Sequence, residues 1–171
     1  MPITVLRLGH RAFRDRRIST HCGLVARALG AEKLVYSGER DKNLEESVDS
    51  VTKQWGGKFS VEHTKSWRKV VESHSGKKVH LSMYGIPIQD KIKEIRKAKD
   101  ILLIVGGEKV PGDVYELAGW NVSVSSQPHS EVASLGIFLH EYFQGKELEK
   151  KFPNSRIRLV PQERGKKIIE K

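Results

Sequence analysis

The stretch Asp100-Ile-Leu-Leu-Ile-Val-Gly-Gly-Glu-Lys-Val-Pro-Gly112 decides the fold. Its five consecutive apolar residues, Ile101 to Val105, read as a strand covered on both faces. The strand runs into Gly106-Gly107-Glu108-Lys109 and then a Pro-Gly step. A buried strand ending in paired glycines sets bare backbone amides at the carboxyl edge of a sheet, where open α/β folds bind ligands. A second loop, Val124-Ser-Ser-Gln-Pro-His-Ser130, opens another helix with more free amides and hydroxyls. Two such loops, each leaving a strand, imply a pocket for an adenosine-type cofactor.

Outward from that strand, extended and helical patterns alternate about six times. Ile3 to Leu8 is a first strand, turned by Gly9-His10 into an arginine-rich loop, Arg11 to Arg17. Ser19 or Thr20 has the side chain to cap a helix through about Leu29, with Gly30 at the C′ position. Next come a strand from Glu32 to Tyr36 and a helix from Asp41 to Gln54. That helix carries Leu44, Val48 and Val51 at spacings of four and three. Lys58 to Glu62 is a short strand, Ser66 to Ser73 a short helix, and Val79 to Met83 a strand. The basic helix Ile88 to Lys97 turns Ile88, Ile92 and Ile95 inward. Beyond the central strand follow a helix at about 112–118, a strand at about 120–124 and a long helix from Ser130 to Phe143. Its stripe of Val132, Leu135, Phe138 and Leu139 serves the core or a dimer interface. The alternation predicts a mostly parallel sheet with helices on both faces.

The last segment breaks the rhythm. Arg156 to Val160 and Lys166 to Glu170 flank Pro161-Gln-Glu-Arg-Gly165, which predicts a β-hairpin appendage. Residues 1–145 are therefore expected to form the main domain, with 146–171 a basic tail and hairpin. At 171 residues the chain has room for one sizeable core. It lacks an apolar run near the roughly 18 residues that span a bilayer. It opens on a strand and not on a signal-peptide core, so a cytoplasmic protein without a membrane partner is expected. The single cysteine, Cys22, excludes an internal disulfide and reads as a small core residue.

The net charge of +10 is concentrated at the two ends. Residues 1–17 hold five Arg against one Asp, and residues 144–171 hold nine Lys or Arg against four Glu. Polyanion binding is the use this suggests. The familiar catalytic constellations are missing. There is no Gly-x-Gly-x-x-Gly after the first strand, no Walker loop, no Gly-x-Ser-x-Gly elbow and no His-Glu-x-x-His, and no metal site is expected.

What remains resembles a known family. Val105-Gly-Gly-Glu-Lys-Val-Pro-Gly112, followed by Val124-Ser-Ser-Gln-Pro-His-Ser-Glu-Val-Ala-Ser-Leu-Gly136, is similar to the C-terminal motifs of the SPOUT RNA methyltransferases. The N-terminal block from Leu6 to Gly30, with its Leu-Gly-His-Arg and Arg-Asp-Arg-Arg runs, resembles the archaeal tRNA (cytidine-56)-2′-O-methyltransferases. The similarity extends over nearly the whole chain. It implies a C-terminal trefoil knot, S-adenosylmethionine as cofactor, tRNA as partner and a homodimer with its sites at the interface. The implied activity is 2′-O-methylation of cytidine 56 in the T-loop. A base-nitrogen methyltransferase on structured RNA and a non-catalytic RNA-binding module are the rival readings.

The same resemblance assigns residues. Cofactor contacts fall on Leu81 and Met83 in the stretch His80-Leu-Ser-Met83, on Gly106, Gly107, Glu108, Lys109 and Val110, and on Val124, Ser125, Ser126, Gln127, Pro128, His129, Ser130 and Glu131. Ribose methylation needs a group that orients the 2′-hydroxyl and receives or stabilises its proton. Arg17 is the first candidate, Arg14 and Arg16 are phosphate clamps, and His21 is a rival base. Glu108 orients the ribose or the arginines, and Ser130 with Glu131 caps the last helix.

Overall fold

The computed structural model describes residues 2–107 and 109–171. Strands β1 (Ile3–His10), β2 (Lys33–Gly38), β3 (Ser60–Thr64), β4 (Lys77–Pro87), β5 (Ile101–Val105) and β6 (Trp120–Ser123) form one sheet. Its order is β3-β2-β1-β5-β4-β6, and every neighbouring pair is parallel. The central Ile101–Val105 run is β5, buried throughout as its unbroken apolar sequence requires.

Helices α1 (Arg16–Ala28), α2 (Lys42–Trp55), α4 (Ile88–Ile95) and α6 (Glu131–Phe143) cover one face. There Ile101, Leu103 and Val105 of β5 meet Cys22, Leu44, Ile92 and Leu135 in the main core. Helices α3 (Trp67–Ser73) and α5 (Gly112–Leu117) cover the other face, where Leu102 and Ile104 pack with Val71 and Val114. The period-two alternation of a strand thus sends one apolar run into two cores.

Two local readings are corrected in the folded chain. Helix α1 begins at Arg16, with Asp15 at its N-cap position and no side-chain cap. Ser19 does not cap it: its hydroxyl lies 2.8 Å from His10 Nδ1 in the interior, and Thr20 donates to the Arg16 carbonyl at 2.8 Å. Strand β4 runs past Met83 to Pro87, and its register on β6 jumps from Leu81 to Ile86, both opposite Val122. Residues 82–85 are therefore looped out of the ladder. Gly85 is obligatory there, because a Cβ would collide with the Asn121–Val122 backbone.

The tail forms the expected hairpin, β7 (Ile157–Leu159) with antiparallel β8 (Ile168–Glu170), shorter than the sequence suggested. Between α6 and the hairpin, a 3-10 turn (Lys146–Glu149) leads into a segment strapped to the end of α2. Gly57 N donates to the Pro153 carbonyl at 2.9 Å and Arg156 N to the Gln54 carbonyl at 2.8 Å.

Candidate functional site

Strand order reverses between β1 and β5, whose neighbours continue in opposite directions through the sheet. At such a switch point the loops leaving the two strands part and open a crevice at the carboxyl edge. A cleft of about 510 Å³ lies there. The loop after β1 contributes Arg14 and Asp15, and the looped-out part of β4 contributes Ser82, Met83 and Tyr84. Gly106, Gly107 and Val110 follow β5, and Val124, Gln127, Pro128 and His129 follow β6. Glu131 and Ser134, in the first turn of α6, close the wall.

Most residues assigned from sequence therefore meet in one place. Leu81 and Met83, Gly106, Gly107 and Val110, and Val124, Gln127 to His129 and Glu131 all line the cleft. Lys109, Ser125, Ser126 and Ser130 sit in the same loops without lining it. Ser125 and Ser130 shape their loop instead: Gln127 N donates to Ser125 Oγ at 3.1 Å and Val132 N to Ser130 Oγ at 3.2 Å. The second contact is the predicted helix cap. Glu108 lies outside the described residues. Gly106 has a local reason to be glycine, since a Cβ there would collide with the Val110 side chain.

The arginines separate. Arg14 lines the cleft, held by Asp15 through Nε–Oδ1 at 2.7 Å and Nη2–Oδ2 at 3.2 Å. Asp15 also accepts from Arg11 N at 3.1 Å and so braces the loop. Burial works against the Asp15 carboxylate, yet the bonds from Arg14 and Arg11 outweigh it and hold its pKa below the usual value. Arg16 and Arg17 are exposed on the first turn of α1, outside the lining, and do not precede the helix as expected. His21 is likewise exposed on α1, away from the cleft.

One residue escaped the sequence reading, and another was placed only as part of its loop. Arg7 interrupts the apolar β1 on the face that packs against α1 and α6, and it is only 1% exposed. Its Nη2 donates to Glu131 Oε1 at 3.2 Å, and its Nη1 bonds the Leu8 carbonyl. A charge inside an apolar strand was the available signal, because burial demands an acidic partner. The other residue is His80, fully buried at the cleft wall. Asn121 Nδ2 donates to the Tyr115 carbonyl at 2.8 Å, which turns Asn121 Oδ1 toward His80 Nδ1 at 2.9 Å. His80 thus donates from Nδ1 and leaves Nε2 as an acceptor without a partner among the described residues. Burial holds its pKa below the ordinary value, against the bond to Asn121.

The family described as tRNA ribose 2′-O-methyltransferase, aTrm56, matches residues 55–169. The chain belongs to it. A Pyrococcus horikoshii relative named tRNA (cytidine(56)-2′-O)-methyltransferase is 49% identical over 172 residues, covering 98% of this chain and 85% of the relative. Among solved structures, an RNA 2′-O ribose methyltransferase superposes with a TM-score of 0.64 at 15% identity over 85% of this chain. The SpoU methyltransferase AviRb from Streptomyces viridochromogenes, solved with the cofactor AdoMet, gives 0.60 at 16% identity, also over 85% of this chain. The chain spans 57% and 58% of the length of those two structures, and the likeness to them is one of fold.

Proposed function

We propose that this chain uses S-adenosylmethionine to methylate the 2′-hydroxyl of cytidine 56 in tRNA. The observation that carries the reading is the near-complete match to relatives of that name, joined to a cleft built from the loops that the motifs select. The cleft fits the cofactor's chemistry. Its volume is in the range of small-molecule sites, about 300–1,000 Å³. Leu81, Met83, Val110, Val124 and Pro128 offer apolar walls to a purine, and the Asp15 and Glu131 carboxylates suit a cationic ligand. When bound, the cofactor supplies an electrophilic methyl group.

The chain's own residues do the rest. Arg14, oriented by Asp15, sits at the cleft and takes the role nearest the ribose and its phosphate. Arg16 and Arg17, exposed one turn along, contact neighbouring phosphates. Glu131, fixed by buried Arg7, orients the polar end of the cofactor. Glu108 remains assigned to ribose orientation by the family resemblance alone. The trefoil knot, a division at residue 145 and a homodimer that completes the site across its interface belong to the same reading. The convergence of three loops on one cleft supports the knot, and exposed Ile137 on α6 supports a partner surface.

The test is methyl transfer to transcript tRNA carrying C or another base at position 56, followed by nucleoside analysis. Label in 2′-O-methylcytidine from the C56 transcript alone is expected. Equal labelling of both transcripts, or label on a base nitrogen, refutes the assignment.

A further inference from the structure

We propose that a second groove, at the opposite end of the sheet from the cleft, binds the phosphate backbone of the RNA substrate. The inference rests on the reading of the chain as a tRNA-modifying enzyme. The groove encloses about 480 Å³ between the start of β2 and β3 and the strapped segment at 150–153. It lies at the amino ends of β2 and β3, whereas the cleft lies at the carboxyl ends of β1, β4, β5 and β6 in the same parallel sheet. At about 3.3 Å per residue, that separates the two by the length of a strand, roughly 20 Å.

Five cations line the groove, Arg27, Lys33, Lys58, Lys150 and Lys151, against one carboxylate, Glu32. The decisive member is Arg27. It is only 6% exposed, and among the described residues it has no acidic partner. Its guanidinium donates to two neutral acceptors, Thr52 Oγ1 at 3.2 Å and the Gly56 carbonyl at 2.6 Å. The Phe152 ring covers it at 4.9 Å. A buried guanidinium ordinarily sits beside a carboxylate, because leaving water without a counter-charge is costly. Here the wall of a basic groove holds one without that partner. Burial lowers its pKa, which marks the same missing counter-charge. An anion seated in the groove supplies it.

The other cations divide by their bonds. Lys33 is paired with Glu62 at 2.7 Å, and Lys150 donates to the Gly30 carbonyl at 3.2 Å. Lys58 and Lys151 are exposed and make no ion pair among the described residues. Those two are free to meet phosphates without giving up an existing contact. The groove is also built, not a loose basic tail. Gly56 and Gly57 have φ of 81° and 90°, and a Cβ on Gly56 would collide with the Pro153 backbone. That close fit fixes the wall carrying Lys150, Lys151 and Phe152. An extended polyanion that meets the exposed Arg14, Arg16 and Arg17 beside the cleft and runs along the side of the molecule would reach this groove as well. A small free anion would need only one of the two.

The experiment uses the full chain and Lys58→Gln/Lys151→Gln, two surface changes remote from the cleft. Affinity for unmodified transcript tRNA is measured over a salt series, and affinity for S-adenosylhomocysteine by calorimetry. The expected result is a tRNA Kd weakened about tenfold near physiological salt. The slope of log K against log salt falls by about 2, one per lost phosphate contact, with S-adenosylhomocysteine affinity unchanged. An unaltered tRNA Kd and slope overturns the proposal, as does an equal loss of cofactor-product affinity. Inorganic pyrophosphate is titrated in parallel. If the parent chain binds it, the variant does not, and tRNA binding is the same for both, the groove is a small-anion site and the RNA assignment falls. The parent's own tRNA binding and methyl transfer are read in the same series. Their absence removes the enzyme reading and the groove with it, whereas their presence with an indifferent variant removes the groove alone.

Discussion

The buried pair between Arg7 and Glu131 makes an asymmetric prediction. Arg7 is 1% exposed and Glu131 24%, with 3.2 Å between Nη2 and Oε1. Glu131→Ala leaves the guanidinium without its counter-charge where water cannot reach it. Breaking a buried pair from one side costs about 3–5 kcal/mol, and the partial exposure of Glu131 places this case near 3. The lost carboxylate at the N-terminus of α6 adds a few tenths of a kcal/mol. For a chain of this size each kcal/mol moves Tm by about 2–4 °C, so a fall of about 6–12 °C is expected. Arg7→Met instead removes the buried charge, keeps most of the volume, and leaves a carboxylate that can turn toward the open cleft. Its cost is about 1 kcal/mol. The double variant Arg7→Met/Glu131→Ala should therefore be more stable than Glu131→Ala, by about 2 kcal/mol, in a double-mutant cycle from urea melts. If the double variant is destabilised relative to the parent by the sum of the two single costs, the two residues are not coupled and the account of the cleft's inner wall is wrong.

Three further outcomes follow from the same structure. His80 is kept neutral by burial, so its folded pKa lies below the unfolded value of about 6.5. Below that pH the unfolded chain takes up a proton that the native chain resists, and stability falls with decreasing pH until the folded value is reached. His80→Gln should show a shallower loss between pH 7 and 5 in urea melts, and an identical loss in both proteins refutes the assignment. Cys22 is fully buried, and burial foremost pushes its thiol up to about 12, with Arg7 opposing. It should react with a disulfide reagent only as fast as the chain unfolds, so prompt labelling of the native protein counts against this packing. Gly38 has φ of 104° and a Cβ there would strike the His10 backbone, whereas Gly9, at 65°, has open space. Gly38→Ala should cost at least about 3 kcal/mol and Gly9→Ala about 1, and comparable melting points would contradict that geometry.

The alternation of elements was legible because each strand and helix carries its own periodicity. The central strand, the inward isoleucines of α4 and the capping Ser130 all stand where local chemistry puts them. Ser19 misled for a physical reason. Its hydroxyl suits a cap, but His10 on β1 claims it, and only the folded chain brings the two together. The extension of β4 was hidden because residues 82–85 leave the ladder and break the pattern of a strand. The loops at 106–110 and 124–131 were found because glycines and a helix-opening serine mark them in sequence. Arg7 was read as one of a basic cluster because its partner lies 124 positions away.

That same separation has a consequence for how the protein comes into being. β1 is made before the other strands of this sheet, yet it pairs with β5, whose residues lie more than ninety positions on, and Arg7 waits longer still for Glu131. Contacts of such long sequence separation form slowly, since the ends of a large loop must meet first. During synthesis the first strand therefore carries an unpaired cation along its inner face until α6 has emerged. A chain cut short before residue 131 cannot discharge it. The pair therefore stabilises a chain that carries α6 over one cut short of it, and the shorter chain should be digested faster by an added protease.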